Sequence, residues 1–249
     1  MKILLIVLIS VGLSTTLGVI GGIVVRALAH RVNDVIMGFS AGIMLAAATA
    51  GLLANAFEPD LGSIALAVAG ALAGAALISL LDRFIPHLHR LAGVDFEEHR
   101  LNGSISRSLL FVAALAIHKI PEGLAVGVSF GTGEIGDVLT VSLEISLQNI
   151  PEAFVMVAPL FAIGVKPPRI IAISLGIAAV SIVSVLTGCA LVAAFAGFLP
   201  FLLAAAGGAM LYVISDEMIP ETHHNDAAGV TYALLGGFCL MLAMSHYLG

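Results

Sequence analysis

Two hydrophobic stretches carry coordinating side chains around a proline: His118, Lys119, Ile120, Pro121, Glu122 and Gly123 in one, Gln148, Asn149, Ile150, Pro151 and Glu152 in the other. An ionisable group within a spanning segment costs roughly 2.5–3.5 kcal/mol on insertion scales, so a cluster of them marks a functional site. His118 and Glu122 stand four residues apart and share a helix face; Gln148 and Glu152 do the same, with Glu144 one turn earlier. Together the faces offer one imidazole, two carboxylates and an amide. Nitrogen and oxygen ligands at about 2.0–2.2 Å are what a zinc-like dication takes, and imidazole also suits iron, nickel and copper.

Each proline precedes its glutamate. Having no amide hydrogen, Pro121 and Pro151 are expected to free the carbonyls of Ile117 and Leu147 and to bend their helices, which membrane depth tolerates where the backbone faces protein or a wet cavity. Lys119 lies about 12 residues from Arg107, roughly 18 Å deep at 1.5 Å per residue, beyond comfortable snorkelling. It needs a buried anion, Glu122 or Glu152. Two readings stand open: a structural ion pair locking the two helices, or an ammonium occupying the place of a second cation.

The elements that position these groups are spanning helices. The chain has 249 residues, 60% hydrophobic and 10% charged, with 27 glycines, no tryptophan and a mean hydropathy of +1.12. That is the composition of an all-α polytopic membrane protein and excludes a soluble enzyme domain or a basic nucleic-acid binder. Cys189 and Cys239 lie far apart in apolar runs and form no disulfide scaffold or CxxC knuckle. A span needs about 20 apolar residues, and such windows fall near 4–28, 35–57, 62–85, 107–131, 138–164, 169–194, 198–220 and 228–248, eight in a single transmembrane domain. The first is read as a retained helix, since its apolar run is too long for a signal peptide.

Arg26, Arg31, Arg83, Arg90, Arg100, Arg107, Lys166 and Arg169 fall on one set of alternate loops against Lys2 on the other. Cations stay cytoplasmic, so both termini are expected outside the cytoplasm. Glu58, Asp60, Glu134 and Asp137 then form an acidic outer mouth that concentrates cations. The cytoplasmic loop 86–106 holds His87, His89, Asp95, Glu97, Glu98 and His99. It reads as a flexible linker or as a weak metal-catching segment.

Helices two and seven share a pattern, Ala41-Gly42-Ile43-Met44-Leu45 and Gly207-Gly208-Ala209-Met210-Leu211. With the two helices running in opposite directions, a true repeat is inverted, as in many transporters; small residues serve plain close packing equally well. Met44 is most simply a packing residue. Asp216, Glu217 and Glu221, followed by His223 and His224, crowd the inner end of helix seven. They are either a solvated terminus or a relay of cation ligands, and with Glu144 they are the candidates for an access or exit path.

The eight helices, the long third loop, HxxPEG, QNxPE, AGxML and the SxExxPE pattern from Ser215 to Glu221 together resemble the Zrt-, Irt-like (ZIP) family of divalent metal transporters, its bacterial GufA-like branch above all. The resemblance covers the whole chain. It implies an inverted-repeat bundle in the cell's inner membrane and uptake of zinc, or of iron, manganese, cobalt or cadmium, into the cytoplasm. The ion is then a transported substrate and no permanent cofactor is needed. It further implies an elevator-like motion of helices one, four, five and six against a scaffold, and commonly a homodimer in the lipid bilayer.

Residue by residue, His118, Glu122, Gln148 and Glu152 match the family's primary metal site, with Met44 and Asn149 as candidate additional ligands. Relatives often hold asparagine at Lys119 and a glutamate at Ser181; both departures strip a second metal position, so one metal is expected, with the lysine charge replacing the other. Ala153 replaces a usual glycine. The alternative from another class is an intramembrane metal-dependent hydrolase, since a His and a Glu four apart can hold a catalytic metal. The HExxH arrangement is absent and no nucleophile has a base beside it.

Overall fold

The computed structural model describes residues 2–25, 30–57, 61–91, 104–162, 164–222 and 227–248. They form eight long helices. These are α1 (Lys2–Val25), α2 (His30–Ala46, continued by a π-helical Ala47–Leu53 and a last turn Ala54–Ala56), α3 (Leu61–Leu91) and α4 (Ser104–Ser129). They continue as α5 (Ile135–Ala162), α6 (Pro167–Ala194), α7 (Leu199–Val213, continued by a π-helical Ile214–Met218 and Ile219–Thr222) and α8 (Ala227–Leu248). Over the described residues, seven have the length and hydropathy to cross a membrane. The remaining one, α4, is 26 residues long and carries Lys119 and Glu122 in its interior.

Several boundaries differ by a few residues from the sequence reading, among them the start of α2 at His30 rather than near 35. Helix α3 runs on through Pro86 to Leu91, and α4 starts at Ser104, so the expected loop 86–106 is shorter than its polar composition implied. Charged and histidine residues do not stop a helix; only Pro86 argued for a break, and a proline inside a helix can bend it at the loss of one hydrogen bond without ending it. Asp95, Glu97, Glu98 and His99 lie outside the described residues, as do the backbone of His223 and His224 and the side chains of His87, His89, Asp82 and Glu221. Helices α4 and α5 stay helical through Pro121, Pro151 and Pro159.

The helices sort by packing into two groups. In the first, α5 lies on α1, α4 lies on α6, and α1 meets α6; in the second, α3 lies on α7 and α2 on α8. The groups meet where α2 crosses α5 and α7 crosses α4. Exchange α1 with α6, α2 with α7, α3 with α8 and α4 with α5, and this scheme maps onto itself, which is the inverted repeat expressed in contacts. Even the π-helical stretches obey it, each beginning shortly after the AGIML or GGAML pattern.

Lipid offers no hydrophobic drive for helix association, so close packing does the work and small residues allow it. A β-carbon at Gly42 would overlap the Leu234 carbonyl of α8, and one at Gly208 the Ala71 carbonyl of α3. The repeated glycine thus performs the same close approach in both halves, and the packing and repeat readings turn out to be one. Small residues on α4 (Gly123, Gly127) abut Ser181, Ser184 and Gly188 of α6, and Gly18 and Gly22 of α1 abut α5. This is why α4 and α5, joined by a short turn, touch α6 and α1 more extensively than each other. Leu5, Ile9, Leu13 and Leu17 form an exposed stripe along α1 at four-residue spacing, a face for lipid.

Candidate metal site

Lys119 is the hub. Its ammonium is buried and donates to Glu122 Oε2 at 2.7 Å, Asn149 Oδ1 at 2.7 Å and Glu152 Oε2 at 2.5 Å. An ammonium has three donors and no acceptor, and all three are used. Glu122 is three residues on along α4; Asn149 and Glu152, three apart, come from one face of α5. Both acids foreseen as alternative partners are therefore engaged together, and the amide of Asn149 joins them.

A second layer fixes the acceptors. Gln148 Nε2 donates to Glu122 Oε1 at 2.9 Å, so each Glu122 oxygen has one partner. Asn149 Nδ2 donates to Ser14 Oγ on α1 at 3.3 Å, which leaves its carbonyl oxygen turned to the lysine. Ser40 of α2 donates to the main-chain carbonyl of Gln148 at 3.2 Å, tying the cluster to the second group of helices. A small cavity of about 10 Å³ is lined by Thr15, Lys119, Glu152, Ala153, Met156 and Ile177. Ser181, buried on α6, donates back to Ile177 of its own helix at 3.3 Å.

His118 is placed differently. It is next to Lys119 in sequence, yet its Nε2 lies 2.6 Å from Glu217 Oε2 in the π-helical stretch of α7. Glu122, Gln148 and Glu152 are thus brought together around the lysine, while the imidazole is held at the edge by an acid from the opposite group. Among the described residues no three His, Cys, Asp or Glu side chains already form a ligand set. The four sequence-matched residues nevertheless lie within one cluster, and binding a dication would require His118 to leave Glu217 and a carboxylate to leave Lys119.

The other candidates divide. Glu217 joins the cluster, whereas its neighbour Asp216 is exposed, as a helix turns adjacent residues about 100° apart. Met44 is buried in the main hydrophobic core with Met210 and Ile145. Glu144 is fully buried beneath Gly51 of α2. Sequence reasoning missed Ser14 and Ser40. Hydroxyls in apolar helices usually bond back to their own backbone and so carry no signal by themselves, though Ser40 directly precedes the AGxML pattern.

Residues 88–245 match the family described as ZIP Zinc transporter. The chain is 36% identical over 248 residues to Zinc transporter GufA of Myxococcus xanthus, with 96% of each protein covered. It is 32% identical over 253 residues to Zinc transporter ZIPB of Bordetella bronchiseptica, covering 95% of this chain and 78% of that protein. Zinc transporter ZupT of Salmonella newport is 31% identical over 130 residues, about half of each chain.

Proposed function

The chain belongs to the ZIP zinc transporter family, and on that premise we propose that it carries a divalent cation, zinc foremost, into the cytoplasm through a single metal site between α4 and α5. As a multi-pass member of a transporter family it is not an enzyme, which sets the hydrolase alternative aside. The observation that carries the site is the convergence of Glu122 and Glu152 on the Lys119 ammonium, with Gln148 bonded to Glu122. The lysine stands between two carboxylates where a second ion would otherwise have to balance their charge.

Chemistry supports this reading. Two carboxylates, an amide and an imidazole give a mixed nitrogen and oxygen set that zinc accepts. His118 is the only nitrogen ligand in it, and its present partner Glu217 belongs to the other helix group. Exchange of His118 between Glu217 and a metal would couple ion binding to the contact between groups. The site then opens alternately as α1, α4, α5 and α6 move together against α2, α3, α7 and α8. Because protons compete with metal for these ligands, uptake is expected to vary with pH. Both termini lie outside the cytoplasm in this proposal, with the α4–α5 turn on the outer side, and the protein acts as a homodimer.

Zinc accumulation in proteoliposomes tests it. Glu122→Ala and Glu152→Ala should each lower uptake by roughly 100-fold or more, since even outer-shell partners of a metal site are worth about 10–100-fold. Uptake that persists in both would place the pathway elsewhere. One tightly bound metal per chain at the transport site is the expected stoichiometry, and two would remove the substituting role of Lys119.

A further inference from the structure

The polar face of α5 does not end at Gln148. Toward the α4–α5 turn it continues through Glu144 and Thr140 at four-residue steps, and Asp137 stands at the start of the helix. Thr140, Glu144 and Gln148 are all buried. Each has an oxygen with no hydrogen-bond partner: Thr140 Oγ1, both Glu144 oxygens and Gln148 Oε1.

Such orphans are costly, and nearly all buried polar groups in native structures are paired. The pattern is the more telling because most hydroxyls in these helices bond back to their own backbone. Ser142, two residues from Thr140, donates to the Leu139 carbonyl, and Ser129, Ser174 and Thr187 each donate to a carbonyl of their own helix. Thr140 does not. Gln148 is oriented by its amide nitrogen, which donates to Glu122. That bond fixes the amide oxygen free on the side away from Glu122. The facing helix α2 presents Gly51 there, whose missing β-carbon would stand 3.1 Å from Glu144 Oε2. Gly51 lies in the π-helical stretch Ala47–Leu53, the kind of helix irregularity frequent at functional sites.

We propose that Thr140, Glu144 and Gln148 form a second, oxygen-only station for a divalent cation, one helical turn from the Lys119 cluster on the side of the α4–α5 turn. A proton on Glu144 would neutralise the acid but supply a single donor, too few for both the threonine and the glutamine oxygens. A cation bound directly by Glu144 and Gln148 satisfies these two, and Thr140, about 12 Å from Gln148 along the helix axis, joins through a water of the ion's shell, as hard ions allow. Gln148 links the stations, its nitrogen bound to the inner cluster and its oxygen offered to the outer ion. Four residues of helix rise separate Glu144 from Gln148, about 6 Å, a step an ion can make by exchanging one ligand at a time. Lacking imidazole and thiolate, the station favours hard ions such as manganese over softer ones. That the ion held here is cargo in transit rests on the transport reading above; the binding itself does not.

Manganese binding by the full chain in lipid nanodiscs, followed by the loss of the free-ion electron paramagnetic resonance signal, tests the station. In Glu152→Gln, which disables the inner cluster, a weaker manganese site should remain. Adding Glu144→Gln should weaken that remaining site at least tenfold, Thr140→Val should weaken it severalfold, and Glu144→Asp should restore part of it. In zinc uptake, Glu144→Gln should raise the half-saturating concentration severalfold with the maximal rate within about twofold. An unchanged melting temperature shows that these neutral, near-isosteric variants still fold; if Glu144→Gln does not, Thr140→Val decides alone. Manganese binding that is insensitive to both Glu144→Gln and Thr140→Val overturns the station while leaving the transport reading intact. Binding that depends on Glu144 in a chain that moves no divalent ion overturns the transport reading and leaves the station standing.

Discussion

The two places where the helix groups cross are equivalent in the repeat and opposite in chemistry. Gly51 on α2 and Glu217 on α7 each stand nine residues after the matching glycines Gly42 and Gly208, and each lies in a π-helical stretch. Where α7 crosses α4, the acid is on α7 and meets His118. Where α2 crosses α5, the acid is Glu144 on α5 and it meets a glycine. One crossing is thus closed by a contact between side chains of the two groups, and the other leaves a carboxylate without a partner. A duplicated backbone has been kept for its packing while its side chains diverged into a latch and an opening.

The same asymmetry runs through the central cluster. Counting from Pro121 and Pro151, His118 answers Gln148, Lys119 answers Asn149 and Glu122 answers Glu152. The prolines and glutamates are kept. The residue that differs most, lysine against asparagine, makes the hydrogen bond joining the two halves, Lys119 to Asn149 at 2.7 Å. An inherited symmetry of position has become donor and acceptor.

Breaking the cluster at its hub should have the largest effect. Lys119→Ala leaves Glu122 and Glu152 buried and facing each other without a counter-charge, a loss of about 3–5 kcal/mol when one partner of a buried pair is removed. Thermal unfolding in detergent should register it, and competition of cadmium, manganese and iron against labelled zinc should show altered selectivity. Unchanged selectivity for every metal would reduce Lys119 to a structural tie.

Opening the latch comes next. Glu217→Gln removes the charge that holds His118 yet keeps the shape, and zinc uptake should change by about 10-fold, the lower end expected for an outer-shell partner. A variant indistinguishable from wild type in rate and half-saturation would show that the α4–α7 contact plays no part in transport. The smallest effect belongs to the glycine opposite. Gly51→Ala sets a methyl 3.1 Å from Glu144 Oε2 and 3.2 Å from Val141 Cγ2, tight enough for an overpacking cost of about 1–3 kcal/mol. If Gly51→Ala instead slows uptake more than Glu217→Gln, the α2–α5 crossing is the more critical of the two.

Much of this was legible in the chain. The span count followed from apolar runs of bilayer length, because hydrocarbon thickness sets helix length locally. That His118 pairs with Glu122 along one helix, and Gln148 with Glu152 along another, followed from helical periodicity alone. The same local rules misplaced the α3 end, since a histidine-rich segment continues a helix as readily as it forms a loop.

What the sequence determined by itself was therefore the set of polar groups committed to the membrane interior and their spacing along each helix. Only the tertiary structure decided which of them meet. It set Glu217 against His118 across 99 residues of chain, gathered three acceptors on Lys119 from two helices, and left Glu144 with none. The physical reason is that a helix fixes the direction of each side chain about its own axis, whereas the partner it faces is set by where small residues let distant helices approach.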